Sequence, residues 1–350
     1  MSTDPDGGRP VLLVGSIPLA SANEVFDTAT SFLGPRLKRV PDGETGSRLQ
    51  WILWQGGPMS RATGIEPNGT ERLMHSVPFQ QFRIKPGAAA EEISFGPLGY
   101  ADAAKRSYAD FVTKREAGVI RPGQRFQICL PTPIAVTFAF MLREESEVRP
   151  VWIAYERAML KEIAAIAAAL PPQDIAIQWD IATELTNLLE KPDYAITYPI
   201  EELLDAIARV SDAVPAQAEL GLHFCYGDPN HKHVVEPVDT GRMVNLANRL
   251  VVAIKRPITW MHMPVPRDRS DDAYFAPLTD LRIATETEFY LGLIHLNDGL
   301  EGAERRIAAA LKVIKDFGVA TECGFGRRNP ETTMDLFRLH RSVSALSQDR

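Results

Sequence analysis

Cysteine is scarce in this sequence, and so is any excess of basic residues. Three cysteines in 350 residues are too few for a disulfide framework. Lysine and arginine together number 38 against 45 aspartates and glutamates, which gives a formal net charge of -7 at pH 7. Binding to a phosphate backbone needs a basic patch, and neither the charge balance nor any run of residues supplies one. The composition therefore argues against a disulfide-stapled fold and against a nucleic-acid partner.

Long apolar stretches are also missing. No run reaches the roughly 18 residues of a membrane-spanning helix. The first ten residues carry Asp4 and Asp6 where a secretory signal would carry apolar residues. The sequence predicts a cytoplasmic protein with no membrane partner. In that reducing compartment the thiols stay free to bind a metal ion.

The chain instead shows a regular alternation of apolar, strand-like runs with amphipathic helical segments. Residues 11–14 form the first run, and a helix that Ser21 caps follows it. Between residues 56 and 100 the alternation lapses, with a strand indicated only over residues 79–84. Alternating strands and helices favour a parallel sheet. We expect a disordered tail over residues 1–10 and a single (β/α)8 TIM barrel over residues 11–350, in preference to a doubly wound sheet.

Reactive side chains recur at the carboxyl ends of the apolar runs. They are Ser16, Glu44, Asp180, His223, Cys225, His262, His295 and Cys323. Active sites of barrels are built at that face, from the ends of several strands. An open sheet would gather its ligands at one switch point instead. The distribution of these residues therefore supports the barrel.

His223 and Cys225 form the motif of greatest interest. In a strand over residues 219–225 the two side chains project to the same side. An imidazole and a thiolate so placed are half of a tetrahedral zinc site, and Cys323 could complete it from a neighbouring strand. The alternative is a core histidine with two buried cysteines, because free cysteine is among the most buried residue types. Cys129, inside a strand, is interpreted as a core residue.

Six short motifs, in order along residues 10–345, resemble the catalytic domain of cobalamin-independent methionine synthase. They are Gly15-Ser16-Ile17-Pro18, Asp42-Gly43-Glu44, Leu130-Pro131-Thr132-Pro133, Ile177-Gln178-Trp179-Asp180, His223-Phe224-Cys225-Tyr226 and Glu322-Cys323-Gly324. Each is weak alone, but six in register are specific to the superfamily that this synthase shares with uroporphyrinogen decarboxylase. The resemblance implies a zinc barrel that activates a thiol for alkylation.

The resemblance assigns zinc ligands to His223, Cys225 and Cys323. The family's fourth ligand is a glutamate at the end of the next strand, where this sequence offers His262. That histidine is either a fourth ligand or a residue that contacts a ligand or the substrate. The resemblance also implies that Glu44 and Asp180 hold the ammonium group of an amino-acid-like substrate.

Two further residues take roles from the resemblance. The Ser16 region would meet the substrate carboxylate, and His295 would relay protons near the transferred group. The synthase has a second, N-terminal barrel for which this length leaves no room, so we expect a single-barrel relative. The insertion at residues 227–233 has no counterpart in the family; Asp228, His231 and His233 form either a second polar cluster or a solvated loop.

These observations predict a zinc-dependent enzyme that presents a substrate thiol as zinc-bound thiolate for methyl or alkyl transfer, similar to a 5-methyltetrahydrofolate–homocysteine methyltransferase. Its partner would be a small thiol or amino-acid-like molecule. Three alternatives remain open: a zinc lyase or hydrolase, a metal-free relative that resembles the decarboxylase, and a non-enzymatic zinc-binding protein. The ring of acidic residues counts against the last, because a structural zinc site does not need one.

Overall fold

The computed structural model describes residues 8–74, 76–188, 198–227 and 233–346. Within these ranges, seven parallel strands pair in the order β1-β4-β5-β6-β7-β8-β9. Their bounds are β1 Arg39–Pro41, β4 Arg125–Pro131, β5 Ile175–Ile181, β6 Glu219–Phe224, β7 Trp260–Pro264, β8 Glu288–Ile294 and β9 Gly318–Thr321. Each of these seven strands pairs with the next of the seven along the chain. A parallel α/β sheet is thereby confirmed.

The two edges of this sheet approach the same segment of chain. Val11 makes parallel bridges to Leu37, just before β1, and to Val319 in β9. The backbone N–H of Leu12 donates to the carbonyl of Val319 at 3.0 Å, and that of Val319 to the carbonyl of Pro10 at 2.9 Å. The sheet is therefore curled in the manner of a half-barrel, while the full (β/α)8 barrel stays a prediction.

Helices occupy the connections between the strands. They are α1 Ala22–Leu33, α2 Gly56–Arg61, α3 Tyr100–Glu116, α4 Pro133–Phe140, α5 Glu145–Ala169, α6 Thr183–Leu188, α7 Ile200–Asp212, α8 Gly241–Ala253, α9 Asp272–Phe275, α10 Gly299–Ala310 and α11 Thr333–Ser344. Ser21 caps α1 as predicted, since its hydroxyl accepts from the backbone N–H of Glu24 at 3.3 Å. None of the described helices is long and apolar enough to cross a membrane.

Helix α5 shows how the pattern of apolar residues fixes the packing. Trp152, Tyr155, Met159, Ile163 and Ile166 recur every three or four residues, and all are buried. Spacing of this kind places them on one face of the helix. Full burial of a large apolar side chain contributes about 1.5–3 kcal/mol, so this face alone anchors the longest helix firmly.

The expectation of irregular chain between residues 56 and 100 was wrong over much of that range. An antiparallel hairpin, β2 Ile65–Met74 with β3 Val77–Ile84, projects there. It packs on the end of α4, where the rings of Phe79 and Phe140 meet edge to face with centroids 5.1 Å apart. Scattered glycine, proline and asparagine residues hid the two-residue alternation of these strands.

The packed chain begins earlier than residue 11. Arg9 is buried, its backbone N–H donates to the carbonyl of Ser344 at 2.8 Å, and its guanidinium lies 4.4 Å from the centre of the Phe317 ring. Residues 1–7 lie outside the described part of the chain, and a disordered tail stays a prediction for them alone.

Candidate metal and substrate site

Three neighbouring strands bring polar side chains to the same level. Asp180 of β5 is in register with His223 of β6, and His223 is in register with His262 of β7. Asp180 and His223 each lie one residue before the carboxyl end of their strand, His262 lies at the middle of β7, and all three are buried. Parallel pairing therefore gathers at one end of the sheet residues that are far apart in sequence, as the sequence predicts.

His223, Cys225 and Cys323 form a group that could hold a metal ion. One potential ligand atom from each lies within 4.8 Å of the others. The two sulfur atoms are 3.9 Å apart. Two thiolates bound tetrahedrally to zinc at about 2.3 Å are about 3.8 Å apart, so the sulfur spacing fits that ion. Two soft thiolates and one imidazole are also a donor set that zinc prefers. The residues present thus fit the metal that the resemblance implies.

Arg327 contacts this group directly. Its guanidinium donates to the sulfur of Cys323 at 3.1 Å. A charge-assisted hydrogen bond of this kind favours the thiolate over the thiol, and the thiolate is the form that binds metal. Arg327 was not among the residues expected from the sequence.

His262 lies beside the group and does not belong to it. Its Nδ1 atom is 2.7 Å from Nδ1 of His223, and its Nε2 atom is 3.0 Å from the carbonyl oxygen of Thr321. Burial, and next the neighbouring His223, lower the pKa of His262 well below its ordinary value, which favours the neutral imidazole. The expectation of His262 as a fourth zinc ligand stays a prediction, and its neighbours suggest another role.

Glu44 and Asp180 stand together as two buried carboxyl groups. Burial raises the pKa of Asp180 to about 6, although His223 and a hydrogen bond from Gln178 oppose the shift. Burial, and next the charge of Asp180, raise the pKa of Glu44 well above its ordinary value. Gly15 leaves space for this side chain, because a Cβ atom there would lie 3.2 Å from Glu44 Oε2. A cationic group beside the pair would favour the ionised carboxylates and so lower both pKa values.

Glu44 itself and the nearby Trp51 have an unusual backbone conformation. Glu44 has φ of 47° and Trp51 has φ of 55°, in the left-handed region that residues other than glycine rarely adopt. The indole N–H of Trp51 donates to Asp180 Oδ2 at 3.2 Å. Strained residues of this kind cluster at functional sites, where the surrounding structure holds them. The sequence gave no sign of this contact.

A cavity of about 380 Å³ joins these features. Ser16, Glu44, Asp180, His223, Cys225 and Cys323 all lie in its wall. Its wall also includes Arg72, Leu73, Met74 and Phe79 of the hairpin, together with Phe138 and Arg143. None of these hairpin residues was predicted as a site residue, because the sequence indicates little regular structure between residues 56 and 100.

Ser16 lies where the first apolar run ends. Its hydroxyl accepts from the backbone N–H of Gly326 at 3.3 Å. Gly326 is needed for this approach, because a Cβ atom there would come within 2.6 Å of Ser16 Cβ. The contact joins the loop after Cys323 to the first loop of the chain, so that both line one cavity.

His295 is placed differently from the other predicted site residues. It follows β8, is buried, and lies outside the wall of the cavity. Its Nε2 atom is 2.8 Å from the carbonyl oxygen of Val265, and its Nδ1 atom is 3.7 Å from Glu322 Oε1. This contact links His295 to Glu322, the neighbour of Cys323 in sequence.

Glu322 also contacts His233, whose Nε2 atom is 3.0 Å from Glu322 Oε2. Burial disfavours the charged imidazole, but Glu322 and Glu236 outweigh it and raise the pKa of His233 to about 9. His233 thus belongs to a polar cluster with Glu322, beside the metal group. For this residue the structure agrees with the expected polar cluster and not with a solvated loop. Asp228 and His231 lie outside the described residues.

Comparison with known proteins finds similarity in fold alone. No protein-family model matches the chain, and no curated protein matches its sequence. Solved structures do match, among them two described as vitamin-B12-independent methionine synthases. A candidate enzyme of that name from Listeria monocytogenes has a TM-score of 0.56 at 14% identity, with 95% of each chain covered. The enzyme from Shewanella sp. W3-18-1, in complex with selenomethionine, has a TM-score of 0.61 at 14% identity, with 97% of this chain and 96% of that chain covered. The resemblance seen in the six motifs therefore extends to the whole fold.

Proposed function

We propose that this protein is a zinc-dependent transferase that moves a methyl or alkyl group to or from the sulfur of a small thiol. One observation carries the proposal: His223, Cys225 and Cys323 converge within 4.8 Å in the wall of a cavity that also contains Glu44 and Asp180. A structural zinc site is closed, whereas a catalytic one keeps a position open toward its substrate. Three ligands beside a cavity match the second description.

We also propose that the fold is a closed (β/α)8 barrel, as in the sequence-based expectation. Residues 11–14 would form the eighth strand, since Val11 bridges both edges of the seven-stranded sheet. Closure would place Ser16 and Cys323 on adjacent loops, in keeping with the contact between Ser16 and Gly326. A closed barrel builds its site at the strand carboxyl ends, where the cavity lies.

In this proposal Glu44 and Asp180 bind the ammonium group of an amino-acid-like substrate. Trp51 and Gln178 hold the Asp180 carboxylate from two sides, at 3.2 Å and 2.9 Å. Such fixed carboxylates make charge-assisted hydrogen bonds to a cation that are about twice as strong as neutral ones. The complex of the Shewanella enzyme with selenomethionine is consistent with an amino-acid-like ligand for this fold.

The metal would be held by His223, Cys225 and Cys323. When bound, zinc would lower the pKa of a substrate thiol and so supply a sulfur nucleophile at neutral pH. The hydrogen bond from Arg327 would withdraw negative charge from Cys323. The apolar hairpin residues would exclude water from the sulfur and from the carbon that it attacks.

A thiol titration tests this function. Protein prepared without chelator would be mixed with homocysteine or with 2-mercaptoethanol, which lacks the amino and carboxyl groups. We expect release of about one proton per site at neutral pH, and one additional sulfur neighbour of zinc in X-ray absorption. Homocysteine should bind more tightly, by the roughly 1.5–3 kcal/mol of a hydrogen bond to a charged group.

Turnover with candidate alkyl donors would then be measured as the loss of free thiol. If no thiol enters the zinc coordination sphere and hydrolysis or elimination proceeds without one, a lyase or hydrolase takes the place of the transferase. If the protein holds no metal and still turns over, the decarboxylase-like alternative replaces both.

A further inference from the structure

A buried chain of hydrogen bonds runs behind the metal group. His223 Nδ1 is 2.7 Å from His262 Nδ1, and His262 Nε2 is 3.0 Å from the carbonyl oxygen of Thr321. The Thr321 hydroxyl in turn donates to the carbonyl of Cys323 at 2.7 Å. The chain thus links the strands β6, β7 and β9, two of which carry the proposed ligands or lead directly into them.

The chemistry of the end groups fixes the direction of these bonds. A carbonyl oxygen can only accept, so His262 Nε2 must carry a proton. In a neutral imidazole the other nitrogen is then an acceptor, so His262 Nδ1 accepts from His223 Nδ1–H. His223 is left with a bare lone pair on Nε2. A metal ligand needs that lone pair, and ligating histidines usually donate their other N–H to a neighbour.

The backbone makes space for this arrangement. The strand β8 lies between β7 and β9, so His262 has to reach over β8 to meet Thr321. Gly292 lies at the crossing, where a Cβ atom would come within 2.6 Å of His262 Nε2 and 2.8 Å of the Thr321 oxygen. The register of β8 against β9 also shifts between Leu291 and Ile294, beside the same place. The missing side chain and the irregular ladder leave room for the imidazole.

We propose that His262 is a positioning residue that fixes the Nδ1–H tautomer of His223 and keeps its Nε2 lone pair toward the metal, without itself binding the ion. This inference rests on the proposed zinc site. The chain departs here from the family, in which a glutamate is the fourth ligand. The imidazole of His262 takes the place of that glutamate and points to Thr321 instead. A fourth position on the metal would then be free for the substrate.

Nitrogen-15 NMR of protein labelled in histidine reads the tautomers of the metal-free chain directly. We expect His223 as the Nδ1–H form and His262 as the Nε2–H form. His340 is an internal reference for the Nδ1–H form, because its Nδ1 atom lies 2.7 Å from the carbonyl oxygen of Leu336. The opposite tautomers at His223 and His262 would overturn the inference, whatever the metal content or activity of the protein.

X-ray absorption of the zinc-loaded protein counts the imidazoles around the metal. We expect one imidazole and two protein sulfurs, both in the wild type and in His262→Gln. An amide can accept from His223 and donate to Thr321, so this variant should keep zinc affinity within about tenfold of wild type. His262→Leu can do neither and should raise the zinc dissociation constant about 10–100-fold, with the same ligand count. Gly292→Ala, which crowds His262, should fall between them.

The outcomes separate this inference from the proposed function. Two imidazoles in the wild type, falling to one in His262→Leu, would make His262 a ligand and refute its positioning role while leaving a zinc enzyme intact. One imidazole with no thiol-dependent turnover would refute the transferase and leave the positioning role standing. A wild type that binds no zinc would refute the zinc site, and with it the role of His262 toward a metal.

Discussion

The two ends of the sheet both bury charged side chains, and they treat them in opposite ways. At the end where strands begin, Arg39 donates to Glu288 at 2.9 Å and also pairs with Glu219. Lys38 adds a second cation to Glu288 at 2.6 Å. Burial alone would raise the pKa of Glu288, but Arg39 and Lys38 outweigh it and hold that pKa at about 2. Charge there is compensated within the fold.

At the end where strands finish, the carboxyl groups of Glu44 and Asp180 are buried near each other, and burial raises both their pKa values. The difference teaches where stability and function reside. Paired ions at the first end stabilise the fold. At the second end burial outweighs the nearby Arg48 and Arg327 and leaves Glu44 and Asp180 with raised pKa values, a pattern typical of functional sites. The left-handed backbone at Glu44 and Trp51 points the same way, because strain of this kind has to be offset by packing elsewhere.

Removal of Arg39 should have the largest effect on stability. In Arg39→Met two carboxylates lose their buried partner, so the free energy of unfolding should fall by about 3–5 kcal/mol. The matched control is Arg338→Met, whose pair with Asp335 has both side chains 60% exposed and should contribute less than about 1 kcal/mol. Denaturant unfolding of both variants measures the difference. Equal effects would show that the Arg39 network does not stabilise the fold.

The pH dependence of Glu288→Gln sharpens the same comparison. The folded-state pKa of Glu288, about 2, lies below its ordinary value of 4.5. Its ionised form therefore stabilises the fold at pH values above 4.5, and this stabilisation is lost as the pH falls through about 2. The gap in unfolding free energy between wild type and Glu288→Gln should be on the order of 3 kcal/mol at pH 7 and should shrink below pH 4.5. A gap that does not change over this range would contradict the pairing.

Asp180→Asn should act with the opposite sign on stability. The pKa of Asp180 is raised from 3.8 to about 6, so the ionised carboxylate costs the fold stability, fully so above pH 6. Metal-free Asp180→Asn should unfold no more easily than wild type at pH 7. Its affinity for the amino-acid-like thiol should fall by about 1.5–3 kcal/mol, measured by calorimetry. Unchanged affinity and turnover would make Asp180 a structural residue.

Ser16→Ala should have the smallest effect. Its hydroxyl accepts one long hydrogen bond, from Gly326 at 3.3 Å, and a neutral bond of this kind contributes about 0.5–1.5 kcal/mol. We expect weaker binding of homocysteine by that amount and no change for 2-mercaptoethanol, which lacks the carboxylate that Ser16 would meet. An equal loss for both thiols would assign Ser16 to the loop contact alone.

Much of the metal group could be predicted from the sequence because strand ends can be read from it. The apolar runs before His223 and Cys323 end in polar residues, and parallel pairing does the rest. The orientation of His262 toward Thr321 could not be predicted, since it depends on a register shift and on Gly292 in a third strand. The spacing of residues along a strand predicts which face of the sheet a side chain lies on, but it does not predict the rotamer of that side chain.

The contributions of Trp51 and of the hairpin to the cavity wall could not be predicted from the sequence. Trp51 reaches Asp180 through a left-handed backbone conformation that its sequence does not demand. Arg72 and Phe79 lie on a hairpin whose alternation is interrupted by a shift in strand pairing between Pro67 and Glu71. Where that hairpin folds is decided by its packing against Phe140, a contact between residues distant in sequence.

Zinc content of three purified proteins tests the central claim most directly. The wild type, the double variant Cys225→Ser plus Cys323→Ser, and the control Cys129→Ser would be prepared without chelator and measured by elemental analysis. Cys129 is a buried free cysteine outside the metal group, so its replacement controls for the loss of a core thiol. We predict about one zinc per chain in the wild type and the control, and almost none in the double variant. A wild type without zinc, or a double variant that keeps its zinc undiminished, would contradict the account.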